Sequence, residues 1–80
     1  MRLLLIGAGR LGSLILQAGP AAGAEVTTVL RAADSPEASG ITAAVCARAD
    51  VAIDVSTAEA VLPHVAALAA HGVPGVIGVT

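Results

Sequence analysis

Apolar residues gather in four short runs along the 80-residue chain, at about 2–7, 25–30, 50–55 and 74–79, and between the runs they recur at helical spacing. Runs this short and continuous suit strands covered on both faces, and strands that alternate with helical stretches build β-α-β crossovers in a parallel sheet. The first helix is expected from Arg10 to Gly19, with Leu11, Leu14, Ile15 and Ala18 on one face and Pro20 ending or kinking it. Arg31 to Gly40 contains Asp34, Ser35, Pro36, Ser39 and Gly40, a turn-forming composition that predicts a surface loop. A short helix from Ile41 to about Arg48 makes the second crossover. The third has Ser56 or Thr57 to cap its start, Glu59 in its first turn, His71-Gly72 at its close, and Val61, Leu62, Val65 and Leu68 as its apolar stripe. Right-handed crossovers then give the strand order 2-1-3-4, and a ligand is expected beyond the carboxyl ends of strands 1 and 3, where the order reverses.

The connection out of the first run reads Gly7-Ala8-Gly9-Arg10-Leu11-Gly12, a G-x-G-x-x-G string placed after a strand and at the opening of a helix. Each glycine has a separate task. Gly7 permits the tight turn, Gly9 presents no Cβ to a pyrophosphate, and Gly12 lets the helix pack closely on the sheet. Amides at the start of a helix lack acceptors within it and carry the positive end of its dipole, so they attract an anion, to which Arg10 adds charge. The plain alternative, a tight strand-to-helix connection with no ligand, explains the glycines but not their placement. These features give an α/β fold class, a Rossmann-like parallel sheet with flanking helices. At the end of the second strand, where many such sheets carry an acid for the adenosine ribose, this chain has Arg31. An arginine accepts no hydrogen bond but pairs with a 2′-phosphate, so Arg31 favours NADPH. Asp34 lies close by in sequence and keeps NADH open.

Composition narrows the classes. With 56% hydrophobic and 12% charged residues the chain is not disordered, yet it has no Phe, Tyr or Trp, so each buried position contributes little area. A chain this short buries only ~60–65% of the surface it exposes when unfolded, which makes its stability marginal. A net charge of −2 and the lack of aromatics leave no footprint for nucleic acid, and no run is long enough for a membrane span. One cysteine, Cys46, forms no internal disulfide and reads as a small hydrophobe in a helix, consistent with a cytoplasmic protein.

The stretch Asp50-Val51-Ala52-Ile53-Asp54-Val55-Ser56-Thr57-Ala58-Glu59-Ala60 resembles the D-V-V-I-D-F-[ST]-x-P-E segment of dihydrodipicolinate reductases. His64, His71-Gly72 and Val76-Ile77-Gly78-Val79-Thr80 are similar to the blocks that follow it in that family, and the glycine turn to its G-x-G-R-M-G. Four departures stand out: Val55 for Phe, Ala58 for Pro, Val79 for Thr, and Arg31 for the acid. The stretch between Arg31 and Asp50 is also short for the family.

The resemblance implies residues 1–80 are the NAD(P)-binding part of an oxidoreductase of diaminopimelate and lysine biosynthesis, which transfers a hydride to a cyclic dihydropyridine dicarboxylate. It further implies a cofactor site of Gly7, Ala8, Gly9, Arg10, Leu11, Gly12, Arg31, Gly78, Val79 and Thr80. The family's C-terminal domain, with its histidine pair, catalytic lysine and dicarboxylate site, lies outside these residues, so the chain alone is expected to be inactive and to bind that substrate only with the further domain present.

No catalytic or metal-binding residue is assigned. His64 and His71 read as surface or cap residues, Asp54 as the end of a buried strand, and Ser56 and Thr57 as helix caps. A different class of function, a free-standing nucleotide-binding or sensing module that forms an oligomer, fits the uncharged stretch Val73 to Thr80, whose edge needs covering by more chain or by a second copy. A remnant without activity is the blandest alternative.

Overall fold

A computed structural model of the chain describes residues 1–7, 9–31 and 39–78. Its elements run β1 (Arg2–Ile6), α1 (Arg10–Ala18), a 3-10 turn at Pro20–Ala22, β2 (Glu25–Leu30), α2 (Ala43–Ala47), β3 (Val51–Asp54), α3 (Ala58–Ala70) and β4 (Gly75–Ile77). All strand pairs are parallel and the order is β2-β1-β3-β4, as the crossover argument requires. The fold is therefore an α/β, Rossmann-like sheet with flanking helices.

β1 is the central strand, which explains its unbroken apolar run: Leu3, Leu4, Leu5 and Ile6 are all buried. Leu4 and Ile6 point to the face covered by α2 and α3, in one core with Leu30, Ile41, Cys46, Ala52, Leu68 and Val73. Leu3 turns the other way, toward Ile15 of α1, and shares an apolar hollow of about 530 Å³ with Val51, Ile53 and Val76. β2 carries a bulge. Leu3 pairs with Val26 but Leu4 with Thr28, which leaves Thr27 as the extra residue, and its hydroxyl donates to the Leu3 carbonyl at 3.2 Å.

The local rules account for most boundaries. Thr42 caps α2 by accepting from the Val45 amide, Gly72 takes φ +67° just past α3, and Gly23 takes φ +82° before β2. At the opposite end of the sheet from the glycine turn, the Asp50 carboxylate accepts from the Arg2 amide at 2.8 Å and from its guanidinium at 3.3 Å. This pair ties the start of β3 to the start of β1. No helix of the described residues is long and apolar enough to cross a membrane.

Two expectations about helix faces are corrected. On α1 the side toward the sheet is Gly12, Ile15, Leu16 and the following Gly19, while Leu11 and Leu14 are about half exposed. On α3 the inward side is Val61, His64, Ala67 and Leu68, and Leu62 and Val65 face out, Leu62 at 79% exposure. The physical reasons differ. α3 is apolar nearly all round, so hydrophobic spacing alone gives little contrast to fix its rotation. α1 carries Arg10, Ser13 and Gln17, and there the close approach of Gly12 to the Gly7 carbonyl oxygen turns the side with Ile15, Leu16 and Gly19 to the sheet. Asp34 and most of the loop from Arg31 to Gly40 lie outside the described residues.

Candidate dinucleotide-binding cleft

A cleft of about 440 Å³ opens over the carboxyl ends of β1, β2 and β3, at the point where the strand order reverses. Gly7 and Gly9 form its floor, Arg31 one end, and Val55, Ser56, Thr57 and His64 the opposite wall.

The floor is built by close backbone packing. Gly7 has φ +99°, and a Cβ there would come within 2.9 Å of the Ser56 amide nitrogen and the Val55 carbonyl group. A Cβ on Gly12 would run into the Gly7 carbonyl oxygen. These two positions admit glycine alone. Gly9 differs. Its φ is an ordinary −72°, and a Cβ on it would meet nothing within 4 Å, so the space beside it is open to the cleft. Gly9 is also the N-cap of α1, with no side chain capping the helix and no acid in its first turn. The first intrahelical bond is Ser13 N–H to the Gly9 carbonyl, so the amides of Arg10, Leu11 and Gly12 precede the helical ladder and aim their positive end toward the cleft.

The wall is pinned by hydrogen bonds. Val55 N–H donates to the Ile6 carbonyl at 2.9 Å and Gly78 N–H to the Asp54 carbonyl at 2.8 Å, so the turn after β3 lies between the glycine turn and the end of β4. Asp54 is fully buried. Its Oδ1 accepts from the Ser56 amide at 3.0 Å and from the Ser56 hydroxyl in a short hydrogen bond, and its Oδ2 lies 2.7 Å from His64 Nδ1. A buried carboxylate without donors would be strongly unfavourable, and these three satisfy it.

The sequence-derived site is partly assembled. Gly7, Gly9 and Arg31 line the cleft, with Arg31 exposed at the end of β2. Arg10, Leu11 and Gly12 form the first turn of α1 beside it. Gly78 stands across Val55, where a Cβ would lie 3.2 Å from Val55 Cγ1. Ala8, Val79 and Thr80 lie outside the described residues.

His64 overturns the expectation of a surface residue: it is 5% exposed, buried against the strand ends and paired to Asp54. His71 is exposed at the C-cap of α3, as expected. Thr57 occupies the N-cap position of α3, but its side chain accepts no capping bond, and the Ser56 hydroxyl is bonded to Asp54 instead. The missed signal was in the sequence. An apolar strand that ends in Asp54 buries a carboxylate, and Ser56 two residues on together with His64 on the next helix are the nearest side chains able to donate to it.

The donors fit a dinucleotide: amide groups and arginines for phosphates, and a floor without side chains where the phosphates must approach. None of the curated proteins compared with the chain matches it significantly. The family model described as dihydrodipicolinate reductase, N-terminus, matches residues 1–80. The chain belongs to that family, as its NAD(P)-binding N-terminal domain.

Proposed function

We propose that this domain holds NADPH, with the pyrophosphate over Gly7 to Gly12 and the 2′-phosphate against Arg31, and serves a reductase that delivers a hydride to a cyclic dihydropyridine dicarboxylate. The observation that carries the reading is the coincidence of three features at one cleft: the Cβ-free floor at Gly7 and Gly9, the uncapped start of α1, and the exposed guanidinium of Arg31 at the end of β2.

The bound reduced nicotinamide supplies the hydride. The chain's own groups bind and orient. The α1 amides and Arg10 neutralise phosphate charge, and Arg31, which offers donors only, discriminates for a phosphate over a bare ribose hydroxyl. Gly78, Val79 and Thr80, at and beyond the end of β4, are assigned to the nicotinamide ribose by the family resemblance. A proton donor and a dicarboxylate-binding group are assigned to the C-terminal domain that the family resemblance implies. The uncharged outer side of β4, with Val76 57% and Ile77 42% exposed, supports a reading in which further chain or a second copy covers it.

Calorimetric titration with NADPH and NADH tests the cofactor assignment. NADPH is expected to bind more tightly, and Arg31→Asp to abolish that preference, since it replaces a phosphate partner with a repelling charge. Equal affinities in the unsubstituted protein remove Arg31 from cofactor choice. No binding of either dinucleotide overturns the reading as a whole and leaves a structural role for the glycine turn.

A further inference from the structure

Among the groups that face the cleft, His64 has no part in the phosphate scheme, and its surroundings define its chemistry closely. Asp54 Oδ1 is occupied by two donors from Ser56, and Oδ2 lies 2.7 Å from His64 Nδ1. A carboxylate only accepts hydrogen bonds, so Nδ1 carries the hydrogen and the ring donates from it. Ser56 Oγ is 3.4 Å from the same nitrogen, but its hydroxyl hydrogen goes to Asp54, so it does not compete. Nε2 has no hydrogen-bond partner among the described residues. Nor is it sealed in the interior, for the Thr28 hydroxyl alone is both buried and unpartnered among those residues. His64 lines the cleft, and Nε2 is the ring nitrogen that the pairing with Asp54 leaves over.

We propose that Asp54 fixes His64 in the Nδ1-protonated tautomer, so that Nε2 meets the cleft as a hydrogen-bond acceptor for a hydroxyl or amino group of the bound dinucleotide. The groups assigned to the phosphates here, the α1 amides, Arg10 and Arg31, all donate. An acceptor lone pair repels phosphate oxygens and suits the sugar hydroxyls or a base amine, so His64 complements the donors by selecting a nucleoside part of the ligand. Asp54 touches no ligand and acts through His64 and Ser56, as a positioning residue.

The ligand half of this inference rests on the dinucleotide reading; the tautomer half does not. Long-range nitrogen–proton correlation spectra of the ligand-free protein, labelled at histidine and held at mildly alkaline pH, are expected to show His64 with its proton on Nδ1 and a bare Nε2. The exposed His71 serves as the reference. A His64 protonated on Nε2, or on both nitrogens under those conditions, overturns the proposal.

In Asp54→Asn the amide NH2 group donates to Nδ1 and drives the proton to Nε2, so the spectrum is expected to exchange its two nitrogen signatures. If that variant does not fold, the unsubstituted protein's spectrum and His64→Asn still decide. His64→Asn keeps a donor toward Asp54 and removes Nε2, and it is expected to weaken NADPH binding about tenfold, the size of one lost hydrogen bond, while leaving inorganic pyrophosphate affinity unchanged. Equal loss for both probes overturns the contact. Repeating the titration with a dinucleotide lacking the base amine separates the sources: the tenfold loss vanishes if the amine is the donor and persists if a hydroxyl is. Failure of the unsubstituted protein to bind NADPH defeats the dinucleotide reading alone, because the tautomer is read without ligand.

Discussion

At the scale of single residues, the glycines of the turn divide by what surrounds them. Gly7 combines a left-handed φ with three backbone atoms at 2.9 Å from its missing Cβ, so Gly7→Ala is expected to cost about 1–3 kcal/mol or more and to lower the denaturation midpoint markedly. Gly9→Val meets open space on the protein side and loses at most about 1 kcal/mol as a poorer N-cap, yet it places a branched side chain where the pyrophosphate is proposed to lie. Chemical denaturation and NADPH titration of the two variants, run side by side, check the division. A Gly9→Val protein that binds as well as the parent removes the phosphates from that corner.

Among the elements, α3 shows what the sequence could and could not convey. Its start near Thr57, its close at His71-Gly72 and its place between two strands were all legible, because caps and breakers act through local backbone geometry. Its rotation was not. Apolar side chains surround it, and the inward stripe includes His64, whose polarity marks it as a surface residue until its partner on β3 is known. Tertiary pairing decided the matter, as it did for Asp54 and Ser56. The glycine turn, by contrast, was legible as a tight strand-to-helix connection because its spacing is local, while the contact that forbids a Cβ on Gly7 comes from Val55 and Ser56 in the turn after β3. The corrected face gives a direct check. Leu68→Ala, at a position 3% exposed, is expected to cost about 2–5 kcal/mol, and Leu62→Ala, at 79%, less than about 0.5 kcal/mol. Similar losses at both would return α3 to the rotation that periodicity suggested.

The strand starts carry a pH-dependent tie. The Arg2 amide first, and its guanidinium second, hold the Asp50 carboxyl below its ordinary value. A folded-state value below the unfolded one means that the pair stabilises the protein above the usual aspartate range, near about 4, and that this contribution is lost as pH falls through the folded value. Both side chains are half exposed, so the effect is small and screened by salt. Asp50→Asn is expected to lower the thermal midpoint slightly at neutral pH and to match the parent in acid. A difference that persists or grows on acidification would assign the effect to something other than this ion pair.

For the whole molecule, the central question is how ligand binding at one end of a small sheet couples to the stability of all of it. β1 supplies both the core, through Leu4 and Ile6, and the strand end from which the glycine turn departs, so the cleft cannot form unless the core has formed. Cys46, in α2, belongs to that same core and reports on it. Burial leaves its thiol only 5% exposed and raises its pKa above the ordinary value, so a thiol reagent reaches it through opening of the structure rather than from the native surface. A dinucleotide that binds the folded state alone must slow this labelling by the factor 1 + [L]/Kd, about a hundredfold at one hundred times Kd, which corresponds to about 2.7 kcal/mol. The same ligand concentration should leave labelling of Gly9→Val unchanged, and the thiol lies outside the cleft lining, so protection by direct contact does not enter. Labelling that ignores NADPH in a protein shown by titration to bind it would mean that α2 opens independently of the cleft, and that the sheet does not behave as a single cooperative unit.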